Sequence, residues 1–283
     1  MKGLSALSNR FTFVRHMRLG LSLIGYAFLI VLIFRAIPES IIDNTHYLNS
    51  LISYIVIGTI FMVLSLFKGL HTLDYFRWPR VSWKSVVAIL IAATFIHQTY
   101  VSHDFEIPRL SVAILGVLYL LSVGYGEEMF SRVFNFGVLE KYGRRKAIFY
   151  SSLLFAALHL NLYIGRDWDP WLAYWHLMST FSFGVFFCAL LIVTRSIWVV
   201  VIFHALIDIS VVFEKASDYV DDDKNVSTDF WTGFSYPFLD VAIRVLLAMF
   251  LLRIDRGGWP RWMVKVAIRF KLVHAEVRID AGI

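Results

Sequence analysis

Glu127 and Glu128 are adjacent carboxylates with Arg132 close behind them, near the middle of an otherwise apolar segment. A charge near the centre of a membrane helix costs about 2.5–3.5 kcal/mol on insertion scales, so such groups pair, function or do both. Farther along, His159, His204 and Asp208 stand inside apolar runs of their own. Carboxylates and imidazoles gathered in a water-accessible hollow can take a proton from water and stabilise a developing oxyanion. Hydrolysis of a peptide bond needs both. The expectation is a hydrolytic site within a membrane, where three helices converge.

The elements that must position these groups are membrane helices. Of 283 residues, 58% are hydrophobic, 17% aromatic and 17% charged, and the mean hydropathy is +0.66. A soluble chain would carry roughly 25% charged residues. The fold class is therefore all-α, a polytopic transmembrane bundle forming a single membrane domain over residues 1–283. Three N-terminal spans occupy 1–107, a core of four spans occupies 108–213, and 214–283 holds an acidic loop, a last span and a basic tail. Apolar runs at about 19–37, 48–67, 85–101, 108–137, 147–162, 171–193, 196–213 and 235–252 give eight spans. Several approach the ~20 residues that cross a bilayer. The first is too long for a signal-peptide core and reads as a signal anchor. The lone cysteine, Cys188, falls in an apolar run and reads as packing.

The net charge of +6 is distributed as a membrane protein distributes it, so nucleic acid is not an expected partner. Lys68, Arg77, Arg80, Lys84, Lys141, Arg144, Arg145, Lys146 and Arg195 fall in loops on one side, together with the basic N-terminus and tail. The opposite loops carry Glu39, Asp43, Asp104, Glu106, Asp167, Asp169, Glu214 and Asp221–Asp223. By the positive-inside rule both termini face the cytoplasm. In the tail, Arg261, Lys265 and Arg269 recur every four residues while Trp262, Met263, Val266 and Phe270 fall largely on another face. That pattern predicts an amphipathic helix lying on the bilayer surface.

Helix geometry, at about 1.5 Å per residue, puts Glu127 roughly 16 Å in from the basic side, His159 roughly 18 Å, His204 roughly 12 Å and Asp208 roughly 18 Å. Four polar residues on three helices reach a similar depth. Residues four apart share a helix face, so Glu128 can pair with Arg132 and Asp208 can reach His204. Glu127 and Glu128 point about 100° apart and cannot play the same role.

Glu-Glu-x-x-x-Arg (127–132), Phe-x-x-x-His (155–159) and His-x-x-x-Asp (204–208) resemble the three motifs of the CAAX-protease and bacteriocin-processing (Abi) family of intramembrane proteases. The resemblance covers about 120–213. It departs at Val133, where many members have glycine, and at Asp208, where many have asparagine. It implies that Glu127 and His159 act on the water, with His204 and Asp208 opposite the carbonyl and the Glu128–Arg132 pair in support. An ionised aspartate would repel an oxyanion, so Asp208 is either protonated or serves to orient His204. Two histidines and a carboxylate could also hold a divalent ion, zinc by ligand type, through His159, His204 and a carboxylate. The sequence leaves metal dependence open.

Other polar residues have plainer readings. Asp240 and Arg244, four apart in the last span, read as a structural pair, and His97 and Gln98 as interhelical hydrogen bonds. Gly124 and Gly126 read as points of close backbone approach. The leading expectation is an intramembrane endopeptidase acting on a membrane-associated protein or peptide in the cell membrane, most simply a prokaryotic plasma membrane. The rivals are a transporter for protons or divalent cations, and a non-catalytic membrane scaffold.

Overall fold

A computed structural model describes residues 46–163, 170–214 and 230–257. The expected first span and the amphipathic tail helix lie outside these residues. Nine α-helices run through the described part: α1 (His46–Phe67), α2 (Trp83–Ser102), α3 (Leu110–Glu128), α4 (Phe136–Glu140), α5 (Arg144–Leu158), α6 (Pro170–Thr194), α7 (Ile197–Ile207), α8 (Ser210–Phe213) and α9 (Phe230–Asp255). No strand occurs among them. A single bridge pairs Phe105 with Glu214.

Four helical stretches are long and apolar enough to cross a bilayer: Leu48–Phe67, Trp83–Ser102, Leu110–Glu140 and Pro170–Thr194. They mark a multi-pass membrane protein. The expected spans at 147–162 and 196–213 are shorter. The first is α5 followed by a 3-10 turn (His159–Leu162), and the second is α7 followed by α8. Helix α9 is 26 residues long but carries Asp240, Arg244, Arg253 and Asp255.

Helix α6 is the central post. In its most apolar window 72% of residues are buried, against 22–33% in the other three stretches. The reason is compositional: Phe186, Phe187 and the run Cys188–Ile192 are apolar on every side, so this turn of helix has no face to offer lipid or water alone. Helices α2, α5 and α9 pack around it. Cys188 is fully buried with its thiol 3.6 Å from Ser151 Oγ, as a packing residue should be. Arg244 pairs with Asp240, donates to Ser179 Oγ at 2.8 Å and Ser182 Oγ at 3.1 Å, and lies 3.8 Å over the Phe183 ring. The structural pair read from the sequence thus fastens α9 to α6.

Two expectations about loops can be checked against contacts. The basic loops meet at one end, where Asp255 lies 3.6 Å from both Arg144 and Arg195 and its carbonyl accepts from Lys84 Nζ. Arg195, between α6 and α7, has φ 55, and its guanidinium donates to Tyr75 Oη at 3.2 Å. At the opposite end the Phe105–Glu214 bridge and a Glu106 N–H···O=C bond to Phe213 tie two of the acidic loops together. Among the described residues, several basic loops thus lie together and two acidic loops lie together. His97 and Gln98 do not find the expected partners among the described helices. Both are exposed on α2, with no hydrogen bond to another helix among the described residues. A polar residue within an apolar span need not face the bundle, because a flexible amide or imidazole near a helix end can reach the polar interface.

Candidate active site

The long third stretch changes its winding at the motif. Helix α3 ends at Glu128, a π-helical segment runs from Met129 to Asn135, and α4 resumes at Phe136. Such π segments inside helices are rare and frequently lie at functional sites. Here the change begins directly after the two carboxylates, and every residue of the segment is buried. Two glycines set the approach of the neighbours. A Cβ at Gly124 would fall 2.7 Å from the Val201 carbonyl oxygen, and one at Gly126 would fall 2.7 Å from that of Tyr54. Gly124 thus admits α7, one turn from His204, and Gly126 admits α1. The close approach read from the sequence is made to two different helices.

That approach puts His204 among three carboxylates. Its Nδ1 donates to Glu128 Oε1 at 2.8 Å, while Nε2 lies 3.2 Å from Asp208 Oδ2 and 3.7 Å from Glu127 Oε2. Both ring nitrogens face carboxylate oxygens, and only a doubly protonated ring donates at both ends. Glu127 and Glu128 diverge as their adjacency requires, one to each side of the same imidazole. Glu128 is fully buried and its other oxygen lies 3.0 Å from Arg132 Nε. Arg132 is 1% exposed, with Nη1 and Nη2 accepted by no oxygen among the described residues. Its guanidinium lies 4.4 Å over the Phe155 ring and 5.0 Å over Phe187. The same two rings contact His204, at 6.1 and 5.3 Å between centroids. Arg132, Glu128 and His204 therefore form one ordered chain walled by two phenylalanines.

His159 occupies the end of α5, where it closes the helix and opens the 3-10 turn. Its Nδ1 donates to the Phe155 carbonyl at 2.9 Å, which places a proton on Nδ1 and orients the ring. The Phe155 ring also packs edge-to-face on His159, at 5.0 Å. Phe155 therefore gives its carbonyl to one site histidine and its ring to both. Of the six residues picked out from the sequence, Glu127, Glu128, Arg132, His204 and Asp208 are in direct contact. His159 is bonded to none of these five, but is near enough to act on the charge of Glu127.

Among the described residues no group of three or more His, Cys, Asp or Glu side chains is disposed to hold a metal ion. Both nitrogens of His204 are engaged with carboxylates. As these side chains stand, the zinc set of His159, His204 and a carboxylate is not formed.

Three residues at the site escape the sequence reading. Tyr54 on α1 is hydrogen-bonded through its side chain to Glu127. His176 on α6 packs edge-to-face on His159 at 5.3 Å, and its Nδ1 lies 2.6 Å from Tyr163 Oη. For His176 a signal existed, an imidazole within an otherwise apolar span. For the two tyrosines there was none, since 13 tyrosines are spread along the chain.

No curated protein matches the chain. Residues 109–210 match the family described as type II CAAX prenyl endopeptidase, Rce1-like, a stretch that contains all three motifs. Over this segment, a little over a third of the chain, the protein is similar to the CAAX-protease and bacteriocin-processing family.

Proposed function

We propose that this protein is an intramembrane endopeptidase that uses Glu127 and His159 to activate water and His204, with Asp208 beside it, to stabilise the oxyanion. The observation that carries the reading is His204 set between Glu128 on one nitrogen and Asp208 and Glu127 on the other. The family's peptidase assignment supports the reaction class.

The residues suit the steps. Water bridging Glu127 and Nε2 of His159 loses a proton to the Glu127 carboxylate as its oxygen attacks the scissile carbonyl. The C–O bond forms while the carbonyl electrons move onto oxygen, and His204 Nε2–H turns from Asp208 towards that oxyanion. One preorganised donor in such a place is worth about 2.7–4 kcal/mol. Glu127 then returns the proton to the amine nitrogen as the C–N bond breaks. Glu128 is the carboxylate that orients His204, because it holds Nδ1. Asp208 therefore belongs with the working nitrogen, on the substrate side. Arg132 balances the buried charge of Glu128.

The substrate is a membrane-associated protein whose scissile bond reaches the site from the bilayer, with a prenylated CAAX carboxyl terminus as the first candidate by family description. The basic end of the bundle faces the cytoplasm, in a prokaryotic plasma membrane. The test is cleavage by the purified protein in proteoliposomes, using a farnesylated CAAX peptide and its unprenylated counterpart. Wild type should cut the farnesylated peptide, and Glu127→Gln should not. Equal cleavage by the variant removes Glu127 from the chemistry, and transport without cleavage would favour an ion path.

A further inference from the structure

His159 needs to be held, and its own helix cannot do it. It sits where α5 gives way to a 3-10 turn, and the last turn of any helix leaves carbonyls unpaired and frays first. Its bond to the Phe155 carbonyl and its contact with the Phe155 ring both come from one turn back on the same helix, so they move with it. None of Glu127, Glu128, Arg132, His204 or Asp208 is bonded to it. One ring from another helix does meet it: His176 of α6, edge-to-face at 5.3 Å and 87°. His176 is in turn held from the His159 side. Tyr163, one residue beyond the 3-10 turn, has its hydroxyl 2.6 Å from His176 Nδ1 and its ring 5.8 Å from the imidazole. The backbone of His176 is anchored in α6, where its carbonyl accepts from Thr180 Oγ1.

We propose that Tyr163 and His176 form a latch that clamps the end of α5 to the central helix α6, making both of them positioning residues for His159. The phenol donates to Nδ1 of His176, so the ring proton of His176 lies on Nε2 and the imidazole is fixed in one tautomer. The two contacts close a loop from His159 through the 3-10 turn to Tyr163, across to His176, and back to the His159 ring. Opening the bond frees both the His176 ring and the turn that carries His159. The latch rests on the reading that His159 acts on the attacking water. A displacement of about 1 Å at a catalytic group can cost as much as 10²-fold in rate.

The test is a double-mutant cycle in the full-length protein in proteoliposomes, with a farnesylated CAAX peptide. Tyr163→Phe keeps the ring and loses the hydroxyl, and His176→Phe keeps an aromatic edge and loses the acceptor. Each single variant should lower kcat about tenfold with KM unchanged, because a single hydrogen bond's worth of alignment is lost. The double variant should be no worse than either single one, since both remove the same bond. The 15N ring signals of His159 supply a readout independent of turnover. In wild type they should show Nδ1 protonated and Nε2 bare, and in both variants they should move towards tautomer averaging. Multiplying kcat losses, a change confined to KM, or unchanged His159 signals would each overturn the latch. If wild type cleaves and Glu127→Gln does not, such a result counts against the latch alone. If wild type does not cleave, the peptidase reading fails, and the ring signals still decide whether the latch exists.

Discussion

The Glu128–Arg132 pair offers a prediction in which stability and activity separate. Both side chains are buried, at 0% and 1% exposure, and their charged groups lie 3.0 Å apart. Removing one partner of such a pair strands the other charge in a low-dielectric interior, at a typical cost of 3–5 kcal/mol. Glu128→Leu leaves the guanidinium, among the described residues, with the Phe155 and Phe187 faces. Arg132→Leu leaves Glu128 with His204 as its one basic neighbour among the described residues. Each should lower the unfolding free energy in mixed SDS–detergent micelles by about 3–5 kcal/mol. The double variant replaces the pair with apolar groups, so stability should return to within about 1–2 kcal/mol of wild type. Cleavage should not return, because His204 Nδ1 has lost its acceptor and the ring is no longer aimed. The coupling across the cycle should be several kcal/mol in favour of the double variant. If the two losses simply add, the pair is not coupled. If the double variant recovers activity along with stability, Glu128 does not orient His204.

Other expectations follow from the same geometry. Glu127→Gln should reduce kcat about 10²–10⁴-fold, as loss of a general base does. Its thermal midpoint should stay near that of wild type, since this carboxylate keeps some exposure and has no arginine partner among the described residues. His204→Ala should cost about 10²–10³-fold in kcat, the usual loss for one oxyanion donor. Gly124→Ala drives a Cβ to 2.7 Å from the Val201 carbonyl. It should destabilise by about 1–3 kcal/mol through overpacking and also slow cleavage, because α7 carries His204; denaturation and turnover assays read the two effects. Incubation with a strong zinc chelator should leave turnover unchanged. A loss restored by added zinc would show that the site rearranges around an ion.

The gathering of these polar side chains was legible because charge in hydrocarbon is conspicuous. Glu127, Glu128 and Arg132 in one apolar run, with His204 and Asp208 four apart in another, have few bland explanations, and all five come together in the fold. Spacing of four also gave the Glu128–Arg132, His204–Asp208 and Asp240–Arg244 pairs correctly. What spacing could not supply is which carboxylate meets which nitrogen of His204. That depends on the π segment after Glu128 and on the closeness of α7, and neither leaves a residue pattern. Gly124 and Gly126 hinted at the closeness, though not that they serve two different helices. Tyr54, Tyr163 and His176 were missed for a related reason: each becomes meaningful only through a partner on another helix. His97 and Gln98 show the opposite error, in which polarity inside a span was taken as evidence of a partner.

The most direct test of water attack within the bundle is a single turnover in H₂¹⁸O by the reconstituted protein, with mass analysis of the newly formed carboxylate. Activation of water by Glu127 and His159 predicts one ¹⁸O in that carboxylate on the first turnover, and no product from Glu127→Gln. A first-turnover product carrying only ¹⁶O would mean that the oxygen came from a protein side chain, and the assignment of Glu127 and His159 to the water would be wrong.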